Sequence, residues 1–357
     1  MTFDLPALGF GPFFQAQLER WQNPSLAPGR IAAEHRGRYT VWSAEGAVPA
    51  RISNRLRRQL ADQAFPTVGD WVVFDRAIRA GDAMLIEGVF DRRTVFERGK
   101  AGRQARPQVV GANVDLVFVV CAFDAGINLH RIERYVARIW AGGAEPAILL
   151  SKADLCGDLP AAIARVEQRF PLVQVHATTA TSAEGLAQVR AAIPEGCTAA
   201  LVGSSGAGKS TLVNALLGEE RMATGEAQAG TGRGRHVTTR REMALLPGGG
   251  VLLDTPGMRE LQLVDEEGLG AVFGDIAALA GHCRFQDCTH GSEPGCAVRQ
   301  AVISGQLEAE RLEHFLKLES EARAYELRHD ARLRRQAERV WGQLYDEVRQ
   351  LNRWKGK

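Results

Sequence analysis

The first hundred residues place their hydrophobic side chains in short runs separated by turn-forming residues. The runs RYTVWSA, VGDWVVFD and AMLIEGVFD are each of strand length and rich in residues that favour β-structure. Regularly spaced short strands without a long helix indicate a small β-barrel or sandwich. We therefore predict an all-β domain over residues 1–105.

From residue 106 onward the hydrophobic pattern becomes that of an α/β domain. The run NVDLVFVVCAF is continuously apolar, as expected of a strand that is buried on both faces. The segment 129–143 then has apolar residues at helical spacing and ends in glycine. Further strands and helices alternate as far as GGGVLLDTPG at 248–257. This alternation predicts a parallel sheet with helices on both faces over residues 106–265.

The last part of the chain has no strand pattern. Three cysteines and one histidine lie between residues 283 and 296, and a stretch rich in Arg and Glu follows with helical periodicity over 306–350. We predict a helical, metal-binding domain over 266–357, which gives the chain three domains.

Composition and charge limit the classes of protein that fit this division. The chain has 357 residues, 45% of them hydrophobic and 24% charged, with a formal net charge of +2, which is typical of globular proteins. No apolar stretch reaches the ~20 residues of a membrane-spanning helix, and the N-terminus lacks a signal-peptide pattern. We therefore expect a cytoplasmic protein with no membrane partner.

Arginines cluster at 51–58, which fits a nucleic-acid surface and a solvated barrel face equally well.

A phosphate-binding loop is encoded by GSSGAGKS, which fits the pattern G-x-x-x-x-G-K-[ST] between a strand and a helix. Its glycines let backbone amides surround a phosphate, and the helix N-terminus adds partial positive charge. We expect Lys209 to reach the β- and γ-phosphates of a nucleotide and Ser210 to ligate Mg²⁺. A glycine turn without a ligand is the alternative, which the flanking strand and helix disfavour. The predicted nucleotide contacts in this segment are Gly203, Ser204, Ser205, Gly206, Ala207, Gly208, Lys209, Ser210 and Thr211.

Two segments after this loop have the features of nucleotide switches. The tetrapeptide DTPG follows an apolar strand, so Asp254 can hold a water molecule on Mg²⁺ and the Gly257 amide can contact the γ-phosphate. The glycine- and arginine-rich segment 225–242 suits a loop that is ordered by the γ-phosphate and Mg²⁺, with a disordered linker as the alternative. Thr239, or failing it Thr238, is our candidate for the second protein hydroxyl on the metal.

The tetrapeptide SKAD looks like the guanine-reading N-K-x-D motif of GTPases. Asp154 can accept from both N1–H and the 2-amino group of guanine, and the Lys152 stem, with Ala153 following it, can cover the ring face. Ser151 replaces the usual Asn, and we expect this shorter side chain to lose a contact with the base or with the phosphate loop, which would loosen guanine selectivity. The run HATT is the expected fifth element, in which the Ala177 amide would face the guanine O6.

These motifs occur in an unusual order, because the base-reading tetrapeptide precedes the phosphate loop by some fifty residues. Ordinary GTPases have the opposite order. The sequence therefore predicts a circular permutation of the GTPase sheet, which is tolerated because domain termini tend to lie close together. The permutation also places DTPG directly before the last domain, so motion at the γ-phosphate can pass to the residues after 265.

A metal site is predicted in the last domain. Cys283, Cys288, His290 and Cys296 form the pattern C-x4-C-x-H-x5-C. Three thiolates and one imidazole make a closed tetrahedral set that suits one structural Zn²⁺ per chain. Three unrelated buried cysteines beside an exposed histidine are the alternative.

The motif order resembles that of the bacterial small-subunit-dependent GTPase family known as RsgA or YjeQ. The resemblance covers nearly the whole chain: a small β-barrel, then SKAD, GSSGAGKST, GRHVTT and DTPG, then the Cys/His pattern. It implies an OB-fold N-terminal domain, GTPase activity stimulated by the 30S subunit, and a role in late 30S maturation near the decoding site. Ser151, where the family has Asn, and Val237, in place of the Thr of GRHTTT, depart from the family pattern. The second departure is expected to affect the ordering of the switch.

The residue after DTPG is Met258, whereas Ras-type enzymes have a water-orienting Gln there. Intrinsic hydrolysis should therefore be slow. Our hypothesis is that His236 orients the water when the ribosomal subunit orders the switch, with Arg233 or Arg235 as a second candidate for stabilising transition-state charge. The alternative is that these side chains only contact RNA phosphates.

Three functional classes fit the sequence. The first, which we adopt, is a monomeric GTP-hydrolysing assembly factor that binds GTP, GDP, the 30S subunit and its rRNA, with His236, Lys209 and Thr239 in catalytic roles. A nucleotide-gated RNA-binding scaffold with incidental hydrolysis is the second. A P-loop kinase or transferase is the third, and the absence of an acceptor-pocket signature disfavours it.

Overall fold

The computed structural model describes residues 2–35, 37–60, 65–98, 108–179, 182–219, 241–254 and 267–329. They belong to two units, Met1–Gln262 and Leu263–Lys357. The predicted domain boundaries near residues 105 and 265 fall between described ranges, so the division into three domains stays a prediction.

Five strands close into a barrel in the first unit. Their order is β1-β2-β3-β5-β4, and β4 pairs back with β1. The β3–β5 pairing is parallel, and the other four pairings are antiparallel. This topology is that of an OB-like barrel, which confirms the predicted N-terminal fold. The strands are β1 (Leu26–His35), β2 (Arg38–Ser43), β3 (Gly46–Ile52), β4 (Trp71–Ala80) and β5 (Ala83–Val89), with helices α1 (Pro12–Leu18) before them and α2 (Asn54–Gln59) between β3 and β4.

The barrel closes tightly around a glycine in β1. A Cβ atom at Gly29 would lie 2.4 Å from Cγ1 of Val41 and 3.0 Å from the ring of Phe74. Val41 and Phe74 are both fully buried in the barrel core. Only glycine therefore leaves room on β1 for these two side chains of the neighbouring strands β2 and β4, which is why a residue with poor strand propensity stands in the middle of this strand.

The second part of this unit is a parallel sheet of order β10-β9-β8-β11-β13, with β12 antiparallel at the end of the row. The predicted parallel sheet is thus present. Helices α5 and α6 pack on one face of it, where their apolar side chains share a core with those of β8, β9 and β11. The strands are β8 (Leu116–Ala122), β9 (Glu145–Ser151), β10 (Gln174–Thr178), β11 (Thr198–Gly203), β12 (Arg241–Leu245) and β13 (Val251–Asp254). A separate hairpin, β6 (Val95–Arg98) and β7 (Gln108–Ala112), precedes them, and the helices are α3 (Leu129–Ala141), α4 (Leu159–Arg169), α5 (Ala183–Ala191) and α6 (Lys209–Leu217).

The barrel and the parallel sheet are continuous through β1. Its first half pairs with β4 and closes the barrel, whereas Ala33 and Glu34 pair with Glu242 and Arg241 of β12. A register shift between Ile31 and Ala33 separates the two halves. A bulge bends a strand and increases its local twist, so β1 can pair antiparallel with β4 in the barrel and with β12 in the neighbouring sheet. The eleven described strands of these two parts therefore form a single sheet.

A buried arginine also joins the barrel to the parallel sheet. Arg30 is 1% exposed, and its guanidinium donates to the Thr198 hydroxyl (2.7 Å) and to the carbonyls of Asn113 (2.7 Å) and Gly69 (3.2 Å). Burial lowers the pKa of Arg30 to about 10. The guanidinium also donates to the carbonyl of Leu8, so carbonyl and hydroxyl oxygens from four segments take the place of water around this cation.

The second unit contains four described helices, α7 (Glu267–Val272), α8 (Gly274–Ala280), α9 (Ala297–Ile303) and α10 (Ala309–His329). Arg311 lies over the buried ring of Phe273, with 4.8 Å from Cζ to the ring centroid, and its guanidinium donates to both carboxylate oxygens of Asp275 at 2.6 and 2.8 Å. The described part of this unit has no strand, in agreement with the sequence pattern. Among the helices that are described, none is long and apolar enough to cross a membrane.

Candidate functional site

The predicted phosphate loop connects β11 to α6. A Cβ atom at Gly203 would lie 2.3 Å from the carbonyl oxygen of Val120, so the end of β11 requires glycine. Gly206 and Gly208 both have φ near +81°, and Gly208 is the N-terminal cap residue of α6. The glycines of the motif are therefore required by positive backbone angles and by close packing on β8.

Lys209 is the first residue of α6, and its ammonium lies inside the loop. The Nζ atom donates to the carbonyl of Gly203 at 2.9 Å and also to the carbonyl of Ser204. The residue is only 9% exposed, whereas Ser205 is exposed. A fixed ammonium at the N-terminus of a helix is a site for phosphate oxygens. Of the other predicted contacts, Ala207 is buried, Gly208 and Ser210 are half-buried and Gly206 and Thr211 are exposed.

The base-reading tetrapeptide lies directly beside this loop. Ser151 is the last residue of β9 and is 3% exposed. Its hydroxyl lies 2.8 Å from the carbonyl oxygen of Ala207, to which it donates, and 3.4 Å from that of Cys121. The phosphate-loop contact that the shorter side chain was expected to put at risk is therefore present.

Lys152 and Asp154 of the tetrapeptide contact residues that follow β8 and β10, the two strands that flank β9. Lys152 adopts a left-handed conformation with φ 56° and forms an ion pair with Asp124, which follows β8. Asp154 is exposed, and one of its carboxylate oxygens accepts from the Thr179 hydroxyl at 2.8 Å. Ala153 begins the short 3₁₀ turn, Ala153–Leu155, that contains Asp154.

Asp124 and Thr179 were not among the predicted site residues. Asp124 comes just after the apolar run NVDLVFVVCAF, and Thr179 ends the run HATT. Both positions follow the carboxyl ends of strands in a parallel sheet, where ligand-contacting residues gather. That position was the available signal for both.

Ala177 lies in β10, directly beside the base-reading strand. It pairs with Leu150 of β9, and Thr178 pairs with Ser151. Next to it, the His176 ring packs edge-on against Phe118, with 6.0 Å between ring centroids. Burial lowers the pKa of His176, and its Nε2 atom has no hydrogen-bond partner.

The strand β13 ends at Asp254 and is parallel to β11. The predicted acidic residue is thus the last residue of the strand beside β11, which leads into the phosphate loop. Gly257, Met258, Thr238, Thr239 and His236 lie outside the described residues, as do Arg233, Arg235 and Val237.

In the second unit the four predicted metal ligands lie together. The ligand atoms of Cys283, Cys288, His290 and Cys296 are all within 4.8 Å of one another. The Sγ atoms of Cys283 and Cys296 are 3.9 Å apart, and they lie 3.7 and 3.4 Å from Nδ1 of His290. Zn–S and Zn–N bonds of about 2.3 and 2.0 Å give tetrahedral edges of about 3.5–3.8 Å. The spacing therefore fits a single tetrahedral zinc ion.

Local backbone geometry supports this cluster. His290 has φ 58°, which turns the chain back after Cys288. Cys296 caps the N-terminus of α9, where its sulfur accepts from the Arg299 amide at 3.4 Å. Burial opposes ionisation of these thiols, and the pKa of Cys288 is raised to about 11. Burial also acts on Cys283, but hydrogen bonds from the backbone of Val298 and Ala297 outweigh it and lower the pKa of that thiol, which favours the thiolate form that binds metal.

The described residues that are predicted to read the base or bind phosphate lie at or just after the carboxyl ends of β9, β10, β11 and β13, although their sequence order is inverted. This fold, with its phosphate loop and base-reading turn at one sheet edge, defines the class of circularly permuted GTPases. The structure is similar to that of YjeQ from Thermotoga maritima, with a TM-score of 0.62 at 23% identity over 83% of this chain and 98% of the other. It is also similar to YloQ, described as a circularly permuted GTPase, with a TM-score of 0.61 over 85% of this chain and 97% of the other.

Sequence comparison gives the particular family. The RsgA GTPase family model matches residues 89–264. A protein of Opitutus terrae named small ribosomal subunit biogenesis GTPase RsgA is 40% identical over 99% of both chains. One of Vibrio parahaemolyticus, named RsgA 2, is 42% identical over 88% of this chain and 84% of its own. The chain therefore belongs to the RsgA GTPase family.

A second family model, that of ABC transporters, matches residues 186–347. This match includes the phosphate loop, a motif that many nucleotide-binding families share. It does not account for the order of the sheet or for the base-reading turn.

Proposed function

We propose that this chain hydrolyses GTP to GDP and phosphate and acts in late maturation of the small ribosomal subunit. The observation that carries the proposal is the hydrogen bond between Ser151 and Ala207, because it joins the base-reading turn to the phosphate loop. One nucleotide can then contact both. The names of the relatives, each a small ribosomal subunit biogenesis GTPase, support the choice of partner.

In this proposal guanine is read at the ends of β9 and β10. Asp154 accepts from N1–H and the 2-amino group, the Lys152 stem covers the ring, and the Ala177 amide faces O6. The position of Asp154 beside β10 supports this arrangement, since its carboxylate contacts Thr179 there.

The phosphates are bound by residues 203–211 with Lys209 as the cation. Mg²⁺ would be held by Ser210 and Thr239, with Asp254 acting through a water molecule, and it would supply charge neutralisation between the β- and γ-phosphates. The hydroxyl and carboxylate oxygens of this set are suitable ligands for Mg²⁺. The placement of Asp254 at the end of the strand beside the phosphate loop supports its role.

The catalytic proposal retains His236 as the residue that orients the attacking water, with Arg233 or Arg235 stabilising developing charge. Met258 follows the tetrapeptide DTPG in the sequence and has no group that can orient water. An arrangement of this kind predicts slow hydrolysis by the chain alone and stimulation by the subunit.

Structural zinc is proposed for the Cys283, Cys288, His290 and Cys296 cluster, one ion per chain. The distances between these atoms support it. All four positions of a tetrahedral ion would be filled by the protein, which leaves no place for a substrate.

Contact with rRNA is proposed for the domains that flank the GTPase domain. Arg51, Arg55, Arg57 and Arg58 are all exposed on β3 and α2 of the barrel, which supports a basic RNA-facing surface. We propose three domains, at 1–105, 106–265 and 266–357, in a monomer that works in the cytoplasm, where its subunit partner is assembled.

Phosphate release from GTP, measured with and without purified 30S subunits, tests this function. We expect slow release by the chain alone and strong stimulation by the subunit. Turnover that depends on a small-molecule acceptor would indicate a kinase or transferase, and subunit binding without turnover would indicate a scaffold. The family membership of the chain does not favour either alternative.

A further inference from the structure

Asp124 and Lys152 connect the ends of two neighbouring strands. β8 and β9 are parallel, with Ala122 opposite Ser151 in the register. A short 3₁₀ turn follows each of these strands, Phe123–Ala125 after β8 and Ala153–Leu155 after β9. The Lys152 ammonium donates to the Asp124 carboxylate across the gap between these turns.

The order of the sheet gives this ion pair a position relative to a bound nucleotide. β8 lies between β9, which carries the base-reading turn, and β11, which carries the phosphate loop. A nucleotide with its base at Asp154 and its phosphates at Lys209 must therefore cross the end of β8. The Lys152 stem runs from β9 to Asp124 at the end of β8, so it lies along the same path.

The pair is charged and accessible. The hydrogen bond from Lys152 lowers the pKa of Asp124, so the carboxylate is ionised at neutral pH. The side chains of Lys152 and Asp124 are 35% and 42% exposed. An exposed ion pair contributes little to the stability of a fold. It can nevertheless fix one rotamer of a long side chain whose free rotation would otherwise be lost on binding a ligand.

We propose that Asp124 is a positioning residue for nucleobase binding, which acts by holding the Lys152 stem in the conformation that supports the ring. The proposal rests on the proposed function, since it assumes a guanine nucleotide between the two strand ends. Asp124 itself makes no contact with the reacting phosphates. Because the ion pair already restricts the Lys152 side chain in the free protein, less side-chain conformational entropy is lost when the ring packs against its methylene groups.

Binding of Mg²⁺–GDP, Mg²⁺–IDP and Mg²⁺–pyrophosphate to the full chain tests this role, with titration calorimetry for the nucleotides and competition for pyrophosphate. The variants are Asp124→Asn, Asp124→Glu, Lys152→Met and the double substitution Asp124→Asn/Lys152→Met. Asp82→Asn is the matched control, because Asp82 is an exposed aspartate in the turn between β4 and β5 of the barrel.

We expect Asp124→Asn to weaken GDP about three- to five-fold, the range that corresponds to the loss of one exposed ion pair. IDP should weaken by the same factor, because the Lys152 stem contacts the ring face and not the 2-amino group. Pyrophosphate should bind as it does to the wild type, and kcat at saturating GTP should not change. Asp124→Glu should restore part of the loss. In the Lys152→Met background, Asp124→Asn should cause no further loss, because its effect passes through Lys152.

Unchanged GDP affinity in Asp124→Asn would overturn the proposal. So would an equal loss of pyrophosphate affinity, which would indicate a general disturbance of the phosphate loop, or losses that multiply in the double variant. Failure of the wild-type chain to bind any guanine nucleotide is a different result, because it would overturn the proposed function itself.

Discussion

The hydroxyl of Ser151 donates to the carbonyl of Ala207 across 2.8 Å, although the two residues are separated by 56 positions in the chain. This contact fastens the turn that follows β9 to the phosphate loop that follows β11. It is buried, since Ser151 is 3% exposed and Ala207 is 2% exposed. The inverted order of the motifs therefore does not separate the two halves of the nucleotide site.

Removal of this hydroxyl should loosen the phosphate loop. We expect Ser151→Ala to weaken GDP binding about five- to ten-fold. A buried carbonyl without its donor costs about 1–3 kcal/mol, so the phosphate loop loses order in the free protein and has to regain that order when GDP binds. Ser43→Ala is a matched control. Ser43 is equally buried and donates to the Gly46 carbonyl at 3.0 Å in the barrel, so its loss should lower Tm without changing GDP affinity. Equal GDP affinity in wild type and Ser151→Ala would show that the contact has no role in binding.

Base selectivity should depend on Asp154. The amide of Asp154→Asn can donate to the 2-oxo group of xanthine, which replaces the 2-amino group of guanine. We therefore expect this variant to lose GDP affinity at least tenfold and to gain affinity for xanthosine diphosphate, because a site that leaves polar groups unpaired rejects its former ligand strongly. Competition between the two diphosphates measures the change. Retention of the wild-type preference would place base recognition elsewhere.

The Cys/His cluster should hold zinc independently of nucleotide. Cys296→Ser removes one of four ligands, and we expect the zinc content to fall from about one ion per chain to nearly none, with a lower Tm for the second unit. Cys197→Ser, at a half-buried cysteine before β11, is the control and should retain the metal. Full zinc occupancy in Cys296→Ser, measured by elemental analysis, would contradict the ligand set.

The histidine next to Ala177 should make stability depend on pH. Burial lowers the pKa of His176 below its ordinary value of 6.5. The unfolded chain then binds more protons than the folded one between the two pKa values, so stability is full above about 6.5 and falls as the pH decreases through the folded pKa. His176→Phe, which keeps a ring against Phe118, should flatten this part of the curve of unfolding free energy against pH. Replacement of the exposed His35 by Phe should leave the wild-type dependence, and an unchanged slope in His176→Phe would refute the assignment.

Subunit-stimulated hydrolysis tests the proposed role of His236. If it orients the attacking water, His236→Ala should lower the stimulated kcat by about 10²–10⁴-fold while subunit binding persists. Binding measured by sedimentation with 30S particles separates the two effects. An unchanged kcat with intact binding would leave His236 without a catalytic role.

Much of the site was predictable because the carboxyl ends of parallel strands meet at one edge. Once SKAD and GSSGAGKS are assigned to strand ends, their proximity follows from the topology alone. The Cys/His cluster was predictable for a different reason, since its four residues are close in sequence and their types and spacing are typical of a structural zinc site.

The contacts between distant residues were not predictable from the sequence. Arg30 reads as a surface residue of a barrel strand, yet it is buried because four separate segments supply oxygens around it. The pairing of β1 with β12 depends on a register shift near Ala32 that no local pattern marks. The partners of Lys152 and Asp154 follow other strands, so the sequence places them only at the same end of the sheet, and the folded chain shows which residue pairs with which.

The central claim is that one guanine nucleotide contacts the base-reading turn and the phosphate loop together. Equilibrium titration of the purified chain with Mg²⁺–GDP and Mg²⁺–ADP tests it most directly. We expect one GDP to bind per chain, much weaker binding of ADP, and loss of GDP binding in both Asp154→Ala and Lys209→Ala. Equal affinity for the two nucleotides, or GDP binding that survives either substitution, would contradict the claim.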